Sequence, residues 1–330
     1  MLCAYLNNGK IEIKDIEIPT LNDGDVLIKV KYALTDGTDL KTYLRGHYIL
    51  KDGPFGHEYS GIVVETKNEK FKIGDEVFGI NSAYCGNCKF CKQNRENLCI
   101  YLKDNIVVGA YAEYLKIPKL VADKNLFIKP EEISFKVAPI IEPLSCVFHG
   151  IEKLNLIGFE KILILGSGSI GIMFFLILKE NFEVKIYSRS KKRIELLKSA
   201  PFYEELNNSF VQNYQGDYDV IIDTTGSFEL LSEILKSLPK GSKILLFAGM
   251  EKDKFLTFNQ SYFHYNEIDI ISSFHQTPSS VKKAYQFLIK NHELLEYLIT
   301  HEIELKDIIL AFELMKEGKA LKVAIFPSKL

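Results

Sequence analysis

The sequence predicts an α/β chain in which a doubly wound parallel sheet is inserted into a β-rich domain. Three observations predict it. Short apolar strands alternate with helices between residues 161 and 272, a glycine-rich turn joins the first strand to its helix, and strand-and-turn texture lies on both sides. Over residues 1–150, Val26, Ile28 and Val30 mark one face of a half-buried strand. Residues 59–65 are a β-rich run through Gly61, and 71–79 reads as a turn leading into another strand. Residues 138–154 can form a buried helix. Strands follow at 161–165, 184–187, 218–223, 243–247 and 268–272, with helices at 169–180, 191–199 and 228–238. Their continuous apolar character predicts burial on both faces of a parallel sheet. Strand-rich texture returns from Leu298. The expected division is a discontinuous β-rich domain, 1–147 with 295–330, around an α/β domain at 148–294.

Length and composition bound the function. A chain of 330 residues suits two domains, and 47% apolar with 25% charged residues is the balance of a soluble globular protein. A net charge of -2 offers no basic excess for a phosphate backbone, so no nucleic-acid partner is expected. The first ten residues lack the regions of a signal peptide, and the longest apolar stretch, 170–178, is half of a membrane span. No membrane association and a cytoplasmic location are expected. Six cysteines are present, four of them between positions 85 and 99, a clustering that suggests thiolates around a metal in a reducing compartment. Cys3 and Cys146 read as small buried hydrophobes.

Gly166-Ser167-Gly168-Ser169-Ile170-Gly171 follows an apolar strand and opens an apolar helix. In that context Gly166 permits the tight turn, Gly168 lets the backbone approach a pyrophosphate, and Gly171 lets helix and strand pack closely. The N–H groups of Ser169 and Ile170 open the helix, whose N-terminus favours phosphate. A plain strand-to-helix turn is the competing reading. An NAD site places a carboxylate at the end of the second strand, whereas this chain reads Ser188-Arg189-Ser190-Lys191-Lys192-Arg193. Ser188, Arg189, Ser190 and Arg193 could bond a 2′-phosphate, so NADP(H) is preferred over NAD(H); a solvated basic helix start is the alternative.

Cys85, Cys88, Cys91 and Cys99 have intervals of two, two and seven residues. Four thiolates in a short loop can close a tetrahedral shell around Zn²⁺ with nothing open for substrate, which makes the expected zinc structural. Iron–sulfur ligation is the rival.

These features, with Gly37-Thr38-Asp39, Gly56-His57-Glu58, Glu142-Pro143-Leu144 and the closing Leu298-Ile299-Thr300-His301, resemble the zinc-containing medium-chain dehydrogenase/reductase family, particularly its sorbitol, threonine and polyol dehydrogenase branch. The resemblance spans nearly the whole chain. It implies a GroES-like β-rich catalytic domain, a Rossmann domain, and a catalytic zinc in a cleft between them. It also implies that this zinc is bound by a cysteine before Gly-Thr-Asp, by His57 and Glu58, and by Glu142 as fourth ligand or holder of the bound water. Asp36 stands where that cysteine belongs. His57 with Asp36, Glu58 and Glu142 is a hard, anionic donor set that would discriminate less against other divalent metals than a thiolate site.

By the same resemblance Thr38 is the relay hydroxyl, and residues 268–272 extend a sheet across a homodimer or within a homotetramer. Asp39 reads as support for the site, and His47 could end the relay, touch substrate or be an exposed loop histidine. The expected activity is NADP(H)-dependent interconversion of a secondary alcohol, polyol or sugar-derived, and its ketone. Two alternatives stay open: a metal-free carbonyl reductase using Asp36 and Glu58 as acids or bases, and a nucleotide-binding protein with a degenerate metal site. His149 reads as a capped or packed histidine, His264, His275 and His292 have no partners by spacing, and Lys41 reads as solvated.

Overall fold

The dipeptide Asn8-Gly9 closes the first hairpin, because both residues take positive φ (46° and 72°), as a type I′ turn demands. In this computed structural model, which describes residues 1–46 and 52–327, that hairpin pairs β1 (Leu2–Asn7) with β2 (Lys10–Asp15). His47 lies outside the described residues. The chain folds as two units, Met1–Pro143 with Val281–Leu330, and Leu144–Ser280.

In the first unit β3 (Val26–Leu34) leads into α1 (Gly37–Arg45). Next come β4 (Gly53–Pro54), β5 (Glu58–Thr66), β6 (Glu76–Gly79), β7 (Tyr114–Ile117), α2 (Lys119–Asn125) and β8 (Leu126–Ile128). Helix α3 (Ile141–Leu154) follows and carries the chain into the second unit, which starts at Leu144. Strand β3 is the organiser of the sheet. Its early residues pair with β7, its whole length with β5, and its last two residues with the closing strand of the chain. Irregularities at Leu27/Ile28 and Val30/Tyr32 bend it between these partners. Leu34 is thereby brought opposite Glu58, so the residues that follow β3 and those that open β5 share one end of the sheet. Behind it, Phe55, Tyr111 and Phe312 stack their rings, with Phe55 and Tyr111 edge-on at 5.0 Å.

The second unit runs β9 (Lys161–Leu165), α4 (Ser169–Leu178), β10 (Glu183–Tyr187), α5 (Lys192–Glu195), α6 (Tyr203–Ser209) and β11 (Phe210–Val211). It continues with β12 (Val220–Asp223), α7 (Phe228–Ile234), β13 (Lys243–Leu246), α8 (Gln260–Tyr265) and β14 (Asp269–Ser272). All pairings are parallel, in the order β11-β10-β9-β12-β13-β14. The order reverses between β9 and β12, the switch point at which such sheets bind ligands beyond their carboxyl ends. The helix expected over 191–199 is shorter. It ends at Glu195, ahead of Pro201, and α6 and β11 fill the stretch before β12.

Burial on both faces holds for β9 and β12 but not for β14, where Asp269, Ile270 and Ser272 are exposed. β14 is an edge strand, so the apolar run at 268–272 reflects an uncovered edge and not a central strand. His149 is a packed histidine, buried on α3, and neither ring nitrogen has a hydrogen-bond partner among the described residues.

Helix α9 (Pro278–Glu296) returns the chain to the first sheet through β15 (Ile299–Glu304), α10 (Ile308–Lys316) and β16 (Lys322–Phe326). Among the described residues no helix is long and apolar enough to cross a membrane.

Candidate functional site

Asp36 ends the extended segment after β3 and caps α1. Its Oδ2 accepts the Thr38 N–H at 2.7 Å, and the Asp39 carboxylate reaches back to the Asp36 N–H at 3.2 Å. This reciprocal capping box explains why two aspartates three apart open the helix, and it fixes both carboxylates. The other Asp39 oxygen accepts from His57 Nδ1 at 3.1 Å, while the Tyr111 hydroxyl donates to Asp39 Oδ2 at 2.5 Å. Burial opposes the His57 imidazolium, but Asp39, Glu142 and Asp36 raise its pKa well above the usual value. With Nδ1 beside Asp39, Nε2 is the atom left for a proton or a metal, the carboxylate–histidine arrangement that orients metal-binding imidazoles. Nε2 lies 3.9 Å from Glu142 Oε2. Asp36, His57 and Glu58 each offer a ligand atom within 4.8 Å of the others.

Glu58 has a second claim on it. Lys322, on β16 and wholly buried, donates to both Glu58 oxygens at 2.6 and 2.8 Å and to the Thr35 carbonyl at 3.0 Å, and stands 4.0 Å from Asp36 Oδ1. Burial works against the ammonium, but Glu58 and Asp36 raise its pKa above the usual lysine value, so it stays charged. Burial likewise opposes the Asp36 carboxylate, yet Lys322, His57 and the Thr38 bonds bring it down to about 2. Burial pushes the Glu142 carboxyl up to about 7. His57 and Lys322 pull against that, and Asp36 and Asp39 add to it.

The buried carboxylates Asp36, Asp39, Glu58 and Glu142 thus surround one ammonium and one imidazole. This gathering of carboxyl oxygens around His57 fits a divalent cation among Asp36, His57 and Glu58, with Glu142 3.9 Å from Nε2. Lys322 and Tyr111 were invisible to motif reading. The only signal was a lone lysine inside the apolar run Leu321–Phe326.

The four cysteines form a separate cluster in the same unit. All four sulfurs lie within 4.8 Å of one another, with Cys88–Cys91 at 3.5 Å and Cys85–Cys91 at 3.9 Å. A tetrahedron of bonds of about 2.3 Å places its sulfurs roughly 3.8 Å apart, so the set fits zinc, and all are free of disulfides. Backbone N–H groups of Cys85, Asn87 and Cys88 point at the sulfurs at 3.3–3.4 Å, as they do towards thiolates.

In the second unit, Gly166 (φ 109°) turns the chain out of β9, and a Cβ there would stand 2.6 Å from Thr224 Oγ1. At Gly171 a Cβ would meet the Gly166 carbonyl at 2.1 Å, so helix and strand could not close up. No side chain caps α4, whose N-cap is Gly168, so the Ser169 and Ile170 end of the helix presents backbone N–H groups. Beyond β10, Ser188 is half-buried, Arg189 and Ser190 are exposed, and Arg193 returns to within 4.0 Å of where a Gly168 Cβ would be. Glycine turn, second-strand loop and Arg193 are therefore brought together.

The model of the alcohol dehydrogenase GroES-like domain matches residues 22–125. Sorbitol dehydrogenase of Bacillus subtilis is 28% identical, over 100% of this chain and 98% of its own. L-threonine 3-dehydrogenase of Vibrio parahaemolyticus is 30% identical, over 96% of this chain and 95% of its own. The solved structure of alcohol dehydrogenase TADH from Thermus sp. ATN1 has a TM-score of 0.85 at 21% identity, covering 99% of this chain and 100% of that one.

Proposed function

We propose, for this chain, which belongs to the zinc-type medium-chain dehydrogenase/reductase family, that it interconverts a polyol or sugar-derived secondary alcohol and its ketone with NADP(H) preferred over NAD(H). Oxidoreduction between alcohol and ketone is the activity of the family members it resembles over its full length. The observation that carries the reading is the His57 ring, held at Nδ1 by Asp39 with Nε2 turned to Glu142.

Asp36, His57, Glu58 and Glu142 would hold the catalytic divalent ion, with Lys322 competing for Glu58. When bound, the ion supplies an electrophile for the substrate oxygen, and the nicotinamide supplies or accepts the hydride. Thr38, half-buried in the first turn of α1, passes the hydroxyl proton of the alcohol towards solvent during oxidation and returns it during reduction. With a carboxylate at Asp36, manganese or ferrous iron would compete with zinc. A metal-free site is favoured by one observation, the Lys322 ammonium already beside Asp36.

In the lobe, Cys85, Cys88, Cys91 and Cys99 would hold a structural zinc. Ser188, Arg189, Ser190 and Arg193 would hold the 2′-phosphate, and Gly166, Gly168, Ser169, Ile170 and Gly171 the pyrophosphate. Arg189→Asp is expected to raise the KM for NADP by about ten- to a hundredfold, the cost of a lost charge-assisted bond, and to favour NAD. Steady-state kinetics with both cofactors on a secondary-alcohol panel check this. An unchanged KM for NADP rejects the assignment.

The exposed edge β14, with Ile270, Phe274 and Tyr265 all exposed, supports a homodimer built by pairing β14 with a second copy, alone or within a tetramer. Sedimentation finding monomer alone excludes it. Six cysteines with no disulfide among them suit a reducing cytoplasm.

A further inference from the structure

We propose that Ser167, inside the glycine turn, is a positioning residue that sets the preference for a 2′-phosphorylated nucleotide without touching it. The inference rests on the reading of Ser188 and its neighbours as the 2′-phosphate site.

Ser167 is buried, and its hydroxyl donates to Ser188 Oγ at 3.0 Å. A hydroxyl has one proton to give. With one lone pair engaged by Ser167, Ser188 keeps its own proton for a partner other than Ser167. Ser190 is held in the same sense, because its Oγ accepts the Lys192 N–H at 3.2 Å. Both loop serines thus accept one bond from the protein and keep their own proton to give, and Arg189 and Arg193 only donate. The loop side chains therefore offer several donors and no carboxylate.

A phosphate dianion accepts hydrogen bonds and gives none, so it matches such a loop. A ribose 2′-hydroxyl seeks an acceptor for its proton, the role a carboxylate fills in NAD sites. The relay from Ser167 through Ser188 to a phosphate oxygen strengthens along its length, since each bond polarises the next. Ser167 therefore acts on the difference between the two nucleotides and not on binding in general.

The test uses the full chain, with 2′,5′-ADP and 5′-AMP as probes in titration calorimetry. Ser167→Ala should weaken 2′,5′-ADP by about three- to tenfold, the value of one neutral hydrogen bond, and leave 5′-AMP unchanged. Ser167→Cys, which keeps the size but donates weakly, should behave as Ser167→Ala does. Equal weakening of both probes would mean that Ser167 only shapes the turn, and would overturn the inference. So would a wild type that discriminates the probes while both variants keep its ratio. A wild type that binds the two alike overturns the cofactor reading itself, and this inference with it.

Discussion

Replacing Lys322 by methionine is expected to cost about 3–5 kcal/mol of folding stability, the penalty for leaving a buried carboxylate without its cation. Glu58 is fully buried and both its oxygens accept from Lys322; the Thr35 carbonyl loses a donor as well. The loss should appear as a lower urea midpoint at unchanged slope. Adding Glu58→Gln to Lys322→Met removes the stranded charge, so most of the loss should return. A double-mutant cycle reads that coupling directly. If Lys322→Met alone unfolds within 1 kcal/mol (roughly the scatter of a surface substitution) of the parent, the pair does not hold the end of the sheet.

His57→Ala is expected to remove one of two divalent ions per chain and to lower kcat/KM by roughly a thousandfold, the scale of a lost electrophile. The cluster of sulfurs should keep its own ion in that variant. Cys88→Ser should do the reverse, with activity falling only as fast as the fold fails. Asp36→Cys should retain both ions and narrow the catalytic one towards zinc. Elemental analysis of active protein decides the matter. One ion per chain at full activity, or His57→Ala with unchanged metal content, would leave the carboxylate pocket to Lys322 alone and favour acid–base chemistry by Asp36 and Glu58.

Contiguous patterns were legible in the amino-acid sequence, and pairings across the chain were not. The turn from Gly166 to Gly171 and the four cysteines are read from spacing because their geometry is local: a turn, a helix end, a short loop. His57 and Glu58 adjoin one another in sequence, yet they face different partners, Asp39 for one and Lys322 for the other. Their division of labour depends on the pleat at the start of β5 and on the closing strand, neither of which a motif encodes. Tyr111 reaches Asp39 from a loop that carries no periodicity. The expected burial at 268–272 failed for a similar reason, since apolar content cannot tell a central strand from an edge one.

The distance along the chain between Glu58 and Lys322 is 264 residues. At the usual rate of translation, roughly 5–20 residues per second, the intervening segment takes on the order of 13–50 s to leave the ribosome. Throughout that interval the nascent acidic pocket has no lysine to neutralise it. The pair closes only when this late strand arrives, and any earlier collapse must leave this carboxyl in contact with water or protonated until then.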